Sequence, residues 1–350
     1  MNDRISSSSR RKGRPPKSIN LALQGGGSHG AFTWGVLDRL LQDDRIHIEA
    51  ISGTSAGAMN AVCVADGLMK GGKQGAREVL EGFWRAVSEA SSLSVLRRTP
   101  MDVMTGNWNL DRSPNYLLFD MVMRVASPYN LNPLNINPLR DILEKTVDFE
   151  RVRSCNRMKL FISATKVSTG RVRVFERPEL TIDTVMASAC LPVMFQAVEI
   201  DGEEYWDGGY IGNPVLFPFA YHCTSQDVVI VQINPMECRH TPRTAQEILN
   251  RVNEITFNSG LMKELRSIEF VTRLLDDGSI DPLRYKKMLI HIIEAEDQMK
   301  RFNASSKFNT EWTFLTMLRD LGSQTVDQWI ENTYESIGKE SSVDLRALFE

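Results

Sequence analysis

The stretch LALQGGGSHGAF, residues 21–32, decides how the chain is read. An apolar run from Leu21 to Leu23 leads into Gly25, Gly26 and Gly27, and an apolar helical pattern starts after Gly30. Glycines at a strand-to-helix turn let the backbone approach an anion at a helix N-terminus. Two anions fit that turn. Gly25-x-Gly27-x-x-Gly30 matches the dinucleotide fingerprint, which holds a pyrophosphate. The same turn can instead present bare N–H groups to the oxygen of an acyl transition state.

A second glycine-rich turn chooses between them. GTSAG, residues 53–57, is a GxSxG sequence between the short strand IHIEAIS and the small-residue helix AGAMNAVCVADGL. That layout sets Ser55 at the apex of a sharp turn, where glycine and alanine relieve crowding between strand and helix. The N-terminus of the following helix, with the Ala56 N–H, favours a nearby anion. Between Gly30 and Gly53 there is room for one helix, one turn and one strand, which is a single βαβ unit with parallel strands. GGGSHG and GTSAG then emerge side by side at the carboxyl ends of the strands. One supplies a nucleophile and the other an oxyanion hole. The dinucleotide reading requires an acid near the end of the second strand. Here that strand ends in Ile51-Ser52-Gly53, and Glu49 lies inside it.

A serine also requires a base. Trp206-Asp207-Gly208-Gly209, alone, is an Asp-Gly-Gly turn. Beside the other two motifs it makes Asp207 the candidate base, because partial burial by Tyr205 and Trp206 would raise the carboxyl pKa. A Ser-acid-His order is also available, since His222, His240 and His291 all follow Asp207. Against a triad, the nucleophile follows only the second strand, and His291 alternates within an apolar strand as a core histidine does.

Strands and helices alternate from Ser18 onward. Further strands are expected in MKLFISATKV, RVRVFE, the hairpin around Asp201-Gly202, DVVIVQIN and KKMLIHIIEA. TIDTVMASAC reads as a helix capped by Thr181. TPMDVMTGNWNLDRSP reads as a loop. Residues from about Thr244 to Asp276 form a helix with Ile248, Val252, Ile255, Leu261, Leu265, Ile268 and Leu275 in a stripe. The architecture expected is α/β, with one mostly parallel sheet and helices on both faces. The late strand argues for a single domain over 18–340, with core motifs in 19–235 and a helical extension over 236–340. Residues 1–17 read as a basic, solvated tail with Arg4, Arg10, Arg11, Lys12, Arg14 and Lys17, able to act as a weak tether to anionic lipid. The irregular segment 91–137 and the 244–275 helix are candidates to shape an acyl tunnel or touch a membrane.

The 350 residues carry a net charge of −3, which gives no global pull toward nucleic acid or anionic membrane. Five cysteines, Cys63, Cys155, Cys190, Cys223 and Cys238, without a CxxC pattern, read as reduced core thiols in a cytoplasmic protein. No run of about 18 apolar residues is present, so no spanning helix is expected. No His, Cys or carboxylate cluster has metal-ligand spacing, and neither metal nor cofactor is expected.

Taken together, GGGSHG at 25–30, GTSAG at 53–57, ASACLPVMF at 187–195 and DGGYIGNP at 207–214 resemble, in order and context, the patatin-like phospholipase family of the bacterial type. The resemblance covers 19–235. It implies a three-layer α/β/α fold, a Ser–Asp dyad without a catalytic histidine, and acyl-ester hydrolysis on lipid or phospholipid substrates, with peripheral membrane contact. Carried over by position, Ser55 is the nucleophile and Asp207 the base. Gly25, Gly26 and Gly27 line the oxyanion loop, and Ala56 contributes its N–H. The family usually has Arg or Lys where this chain has His29. A histidine there is expected to modulate the loop with a contribution that varies near pH 6–7. A third reading keeps the fold as a non-catalytic lipid-binding protein.

Overall fold

The computed structural model describes residues 15–91, 94–238 and 241–349; most of the basic segment and His240 lie outside them. Its centre is an eight-stranded sheet. The strands are β1 (Lys17–Leu23), β2 (Ile46–Gly53), β3 (Lys159–Lys166), β4 (Val172–Glu176), β5 (Val198–Ile200), β6 (Glu203–Asp207), β7 (Asp227–Val231) and β8 (Leu289–Ile293). Their order is β5-β6-β3-β2-β1-β7-β8, and β4 also pairs with β3. The β3-β2-β1-β7-β8 block is parallel throughout. β4, β5 and β6 join it antiparallel.

Alternation along the central strands builds two cores, because successive side chains leave a strand on opposite faces. Ile19, Leu21, Leu23, Ile51, Leu160, Ile162, Val229 and Val231 pack on one face under the helices Gly30–Gln42, Ala56–Ala90 and Trp312–Thr333. Ala22, Ala50, Phe161, Val228 and Ile230 pack on the other under Phe217–His222 and Ala245–Asp276. The result is the three-layer α/β/α arrangement with a mixed sheet and a helical C-terminal region.

Several sequence expectations are corrected in detail. Lys17 is not part of a tail: it opens β1, and its ammonium donates to the carbonyls of Tyr334 and Ile337. Residues Pro100–Thr105 are a short helix, not a loop, because Thr99 and Asp102 form a capping box and Pro100 suits the first turn. The helix that starts after Ser55 is followed by a second within Ala56–Ala90, the two separated by a kink where Gly71 and Gly72 leave helical geometry. In the Ala245–Asp276 helix the stripe is only partly covered. Leu261 and Leu265 are buried, whereas Ile248, Val252 and Ile255 remain exposed. Of the cysteines, Cys63, Cys155 and Cys190 are buried, Cys223 is half-buried and Cys238 is exposed.

The last long helix is seated by two glycines. A Cβ on Gly35 would lie 1.8 Å from the Arg319 carbonyl oxygen, and one on Gly322 would lie 2.1 Å from that of Phe32. The helices Gly30–Gln42 and Trp312–Thr333 therefore touch backbone to backbone. Gly322→Val is expected to cost about 2–3 kcal/mol, since overpacking forces the backbones apart. Gly82→Ala, on an exposed helix position with open space around it, should stabilise by about 0.5–1 kcal/mol. Urea midpoints of the two variants, moving in opposite directions from the wild type, check this contact; an unshifted Gly322→Val midpoint would refute it.

Candidate active site

Strand register brings the motifs together. Leu23 of β1 lies opposite Gly53 of β2, so the turns that follow, 24–27 and 54–57, leave the same sheet edge as neighbours. Gly53 in turn lies opposite Ile162, and two residues further along β3, Ala164 lies opposite Asp207 at the end of β6. Ser55 and Asp207 are thereby delivered to one corner from strands far apart in the chain.

Ser55 caps the Ala56–Ala90 helix with φ 53° and ψ −119°, a conformation that a residue with a side chain rarely adopts. Such strain costs about 1–3 kcal/mol and persists only where the surroundings impose it. They do so here. The Ser55 N–H donates to Ser188 Oγ at 2.9 Å, and the Ser55 carbonyl accepts from Met59 N at 3.1 Å. Thr54 Oγ1 donates to the Gly212 carbonyl at 2.8 Å and lies 2.6 Å from Ser163 Oγ. The elbow is thus tied to β3 and to the loop after Asp207. Ser55 itself is only partly covered.

The glycine turn fits against this elbow because it lacks side chains. A Cβ on Gly25 would stand 2.7 Å from Ser55 Cβ and 2.8 Å from the Thr54 carbonyl oxygen. Gly25 nevertheless does not offer its own N–H, which donates to Asn213 Oδ1 at 2.6 Å. Among the described residues no acceptor takes the N–H of Gly26 or Gly27, and that of Ala56 is left over at the start of its helix. These three donors therefore have no acceptor among the described residues, in two turns that lie side by side next to Ser55.

Asp207 is almost fully buried, and its Oδ1 accepts from Gly209 N at 2.7 Å. Its backbone is fixed on both sides: its N–H donates to the Cys190 carbonyl, and its carbonyl accepts from Thr165 Oγ1. Burial pushes the carboxyl pKa up to about 7, against the opposing pull of Gly209 N–H, the Ser55 side chain and the charge of Lys307. The Ser55 side chain is close enough to Asp207 to act on its proton affinity.

The histidines separate clearly. His29 is buried between Phe302 and Phe314, with Nε2 2.8 Å from Ser306 Oγ. Ser306 O–H donates to the Asn303 carbonyl, so the hydroxyl oxygen accepts from the imidazole. Burial, and then the charge of Lys307, hold the His29 pKa well below its ordinary value. The expectation of a contribution varying near pH 6–7 is corrected: the ring stays neutral there. His291 is a core histidine, between Asp227 Oδ1 and Ser342 Oγ at 3.0 Å each. His222 lies beside Glu176, with its carbonyl bonded to Lys159 at the start of β3. Both contacts sit toward the amino ends of the strands, opposite Ser55. His240 lies outside the described residues. No group of three or more His, Cys, Asp or Glu side chains is placed to hold a metal ion among the described residues.

Sequence reasoning missed the residues that brace the site. Ser188 and Asn213 lie inside quoted motifs, but nothing in their spacing signals that they hold the backbones of Ser55 and Gly25. A buried network behind the turn was also invisible. Gln24 Oε1 accepts from the N–H groups of Ile233 and Asn234 at 2.9 Å each, and its amide donates to Asn258 Oδ1 at 3.1 Å. Asn234 Nδ2 donates to the Gly25 carbonyl at 2.8 Å.

A family model described as Patatin-like phospholipase matches residues 21–220. No curated protein matches the chain. Among solved structures the chain is similar to VipD from Legionella pneumophila, at 16% identity over 88% of this chain and 67% of that one, with a TM-score of 0.33. It is also similar to a chain of the complex of full-length SpcU with full-length ExoU from the type III secretion system of Pseudomonas aeruginosa. There the identity is 13% over 91% of this chain and 53% of that one, with a TM-score of 0.32. The chain thus spans between half and two thirds of those proteins.

The raised Asp207 pKa has a consequence for stability. The folded state holds the carboxyl proton up to about pH 7, whereas the ordinary value is 3.8. Between those values the folded chain binds more protons than the unfolded one, so stability falls as pH rises from about 4 to 7 and stays reduced above. Asp207→Asn removes this penalty. Thermal melts should show the variant more stable than wild type above pH 7, by up to about 4 kcal/mol, with the difference vanishing near pH 4. Equal melting temperatures at pH 8 would contradict the buried-carboxyl account.

Proposed function

This chain belongs to the patatin-like phospholipase family, whose general activity is the hydrolysis of lipid esters, and we propose that it cleaves carboxylic esters of lipids through a Ser55–Asp207 dyad and an acyl-serine intermediate. One observation carries the reading: a strained, partly exposed serine, a buried carboxyl and a glycine turn whose Gly26 and Gly27 N–H groups lack a protein acceptor lie at one sheet edge. Asp207, with Oδ1 bonded to Gly209, takes the Ser55 hydroxyl proton as Oγ attacks the ester carbonyl. The carbonyl oxygen becomes an oxyanion on the N–H groups of Gly26, Gly27 and Ala56. The alcohol leaves with the proton held by Asp207. Asp207 then removes a proton from water as the water oxygen attacks the acyl-serine, and returns it to Ser55 Oγ as that bond breaks and the carboxylic acid is released. A base near pKa 7 is matched to this task at neutral pH. We also take the described chain from Lys17 onward as one catalytic domain.

The substrate source proposed is a lipid surface. No helix of the described residues is long and apolar enough to cross a membrane. Instead the Pro114–Val125 helix buries only Tyr116, and Leu117, Leu118, Met121 and Val125 stand exposed, as do Met104 and Leu134 in the segments before and after it. The segment that follows this helix reaches toward the site. Tyr129 Oη accepts from Ala197 N, and Gln196 donates to the Asn132 carbonyl, just after the Cys190 turn that fixes Asp207. Exposed aliphatic area of this kind is stabilised by contact with acyl chains.

Hydrolysis of a medium-chain p-nitrophenyl ester tests the dyad. Ser55→Ala and Asp207→Asn should each lose about 10³-fold or more in kcat, and wild-type activity should rise with pH through about 7 as Asp207 ionises. A combined substitution of His222, His240 and His291 should keep activity; its loss in a folded variant would replace the dyad by a triad. Replacing Leu117, Leu118 and Met121 by Ser should reduce hydrolysis of phospholipid vesicles, relative to the soluble ester, by about tenfold or more. An unchanged ratio would remove the apolar helix from lipid contact.

A further inference from the structure

Lys307 lies far beyond the 21–220 segment that matches the family, yet it closes the back of the glycine turn. Its carbonyl oxygen stands 2.6 Å from where a Cβ of Gly27 would be, and Gly27 has φ +58°. The side chain then turns toward the site. Nζ donates to Asn234 Oδ1 at 2.8 Å, and the same Asn234 donates through Nδ2 to the Gly25 carbonyl at 2.8 Å. One amide therefore links the ammonium to the turn. The Phe257 ring lies 5.7 Å from Nζ on another side.

The charged groups around it are few. Asp207 and Glu254 attract the ammonium, and His29 faces it as a neutral ring. Glu254 is engaged with Arg251 at 2.9 Å. Among the described residues no carboxylate comes within ion-pair distance of Lys307. A desolvated cation without a counter-ion is costly, and burial lowers its pKa to about 8. Such a residue is retained where its charge acts on something that passes through the site.

We infer that Lys307 is a positioning residue of the active site, whose ammonium, held by Asn234 against the 25–27 turn, stabilises the oxyanion formed on Gly26 and Gly27. The inference rests on the Ser55–Asp207 reading. In the attack step the proton moves from Ser55 to Asp207, and the negative charge moves from Asp207 to the carbonyl oxygen. The total charge facing Lys307 is constant; its location is not. Only a cation closer to the turn than to the carboxylate favours the transition state over the ground state. The link through Asn234 to the Gly25 carbonyl, with no ion pair between Lys307 and Asp207, ties the ammonium to the turn.

Full kcat and KM profiles against pH, on the p-nitrophenyl ester, test this with wild type, Lys307→Met, Lys307→Arg and Ser55→Ala, all checked by thermal melts. Wild type should lose activity above about pH 8 as the ammonium gives up its proton. Lys307→Met should lose about 10–100-fold in kcat with little change in KM. Its alkaline limb should disappear, and its acid limb should move to higher pH, because Asp207 is no longer held ionised by a neighbouring cation. Lys307→Arg, whose guanidinium does not titrate in this range, should carry activity to higher pH than wild type. A Lys307→Met enzyme with wild-type kcat and both limbs in place overturns the inference. If that variant does not fold, a wild-type profile flat from pH 7 to 10 overturns it equally. A fully active Ser55→Ala would instead defeat the dyad reading, which separates the two failures.

Discussion

The approach of Gly25 to Ser55 is the constraint on which the site depends. A single methyl group at position 25 would overlap Ser55 Cβ and the Thr54 carbonyl, so the two turns share a space that only a glycine permits. The contact follows from strand register, Leu23 opposite Gly53. Because side chains alternate, a slip of one residue would also turn Leu21 and Ile51 out of their core. Hydrophobic packing and catalytic geometry are thus fixed by the same pairing. The turns that carry the Gly26, Gly27 and Ala56 donors are neighbours as a by-product of how β1 and β2 must lie.

Holding this arrangement opposes folding in several places. Ser55 keeps an unfavourable backbone, Asp207 is an ionisable group without water, and Lys307 is a cation without a counter-ion. Each is compensated locally rather than globally. Ser188 holds the Ser55 N–H, Gly209 holds Asp207, and Asn234 holds Lys307. These braces are themselves buried or nearly so, and hydrogen bonds in such surroundings are stronger than in water. The uncompensated remainder, a proton-hungry carboxyl beside a serine and N–H groups without acceptors, is what chemistry requires of the site.

The layered fold and the glycine and serine turns were legible because each is local. Short apolar, β-branched runs marked β1, β2, β7 and β8, and GxSxG marked the junction between β2 and its helix. Thr181 was readable as a cap for the same reason, since its partner is three residues away. The capping box at Thr99 was equally local, and its neglect left a helix described as a loop. The braces were not legible. Asn234, Ser306 and Lys307 are polar residues in unremarkable stretches, and their meaning depends on contacts with Gly25, His29 and Gly27, each more than 200 residues away. His29 shows the limit from the other side. Its identity was visible, but its neutrality comes from burial among Phe302, Phe314 and Lys307, which spacing does not encode.

The parallel topology explains why such distant residues belong to one site. In a parallel block every strand ends at the same edge, so each loop leaving a strand is brought to it in turn. β1 leads to the glycine turn and β2 to Ser55. β7 leads to Ile233 and Asn234, and β8 to the segment that carries Ser306 and Lys307. The antiparallel β6 reaches the edge by ending there, with Asp207 as its final residue. The late strand is therefore more than an addition to the sheet. By pairing with β7 it returns the chain to the catalytic edge, and the Trp312–Thr333 helix, seated with Arg319 against Gly35 and Gly322 against Phe32, holds the returning segment against the first helix. A cation behind the oxyanion turn is a consequence of that return.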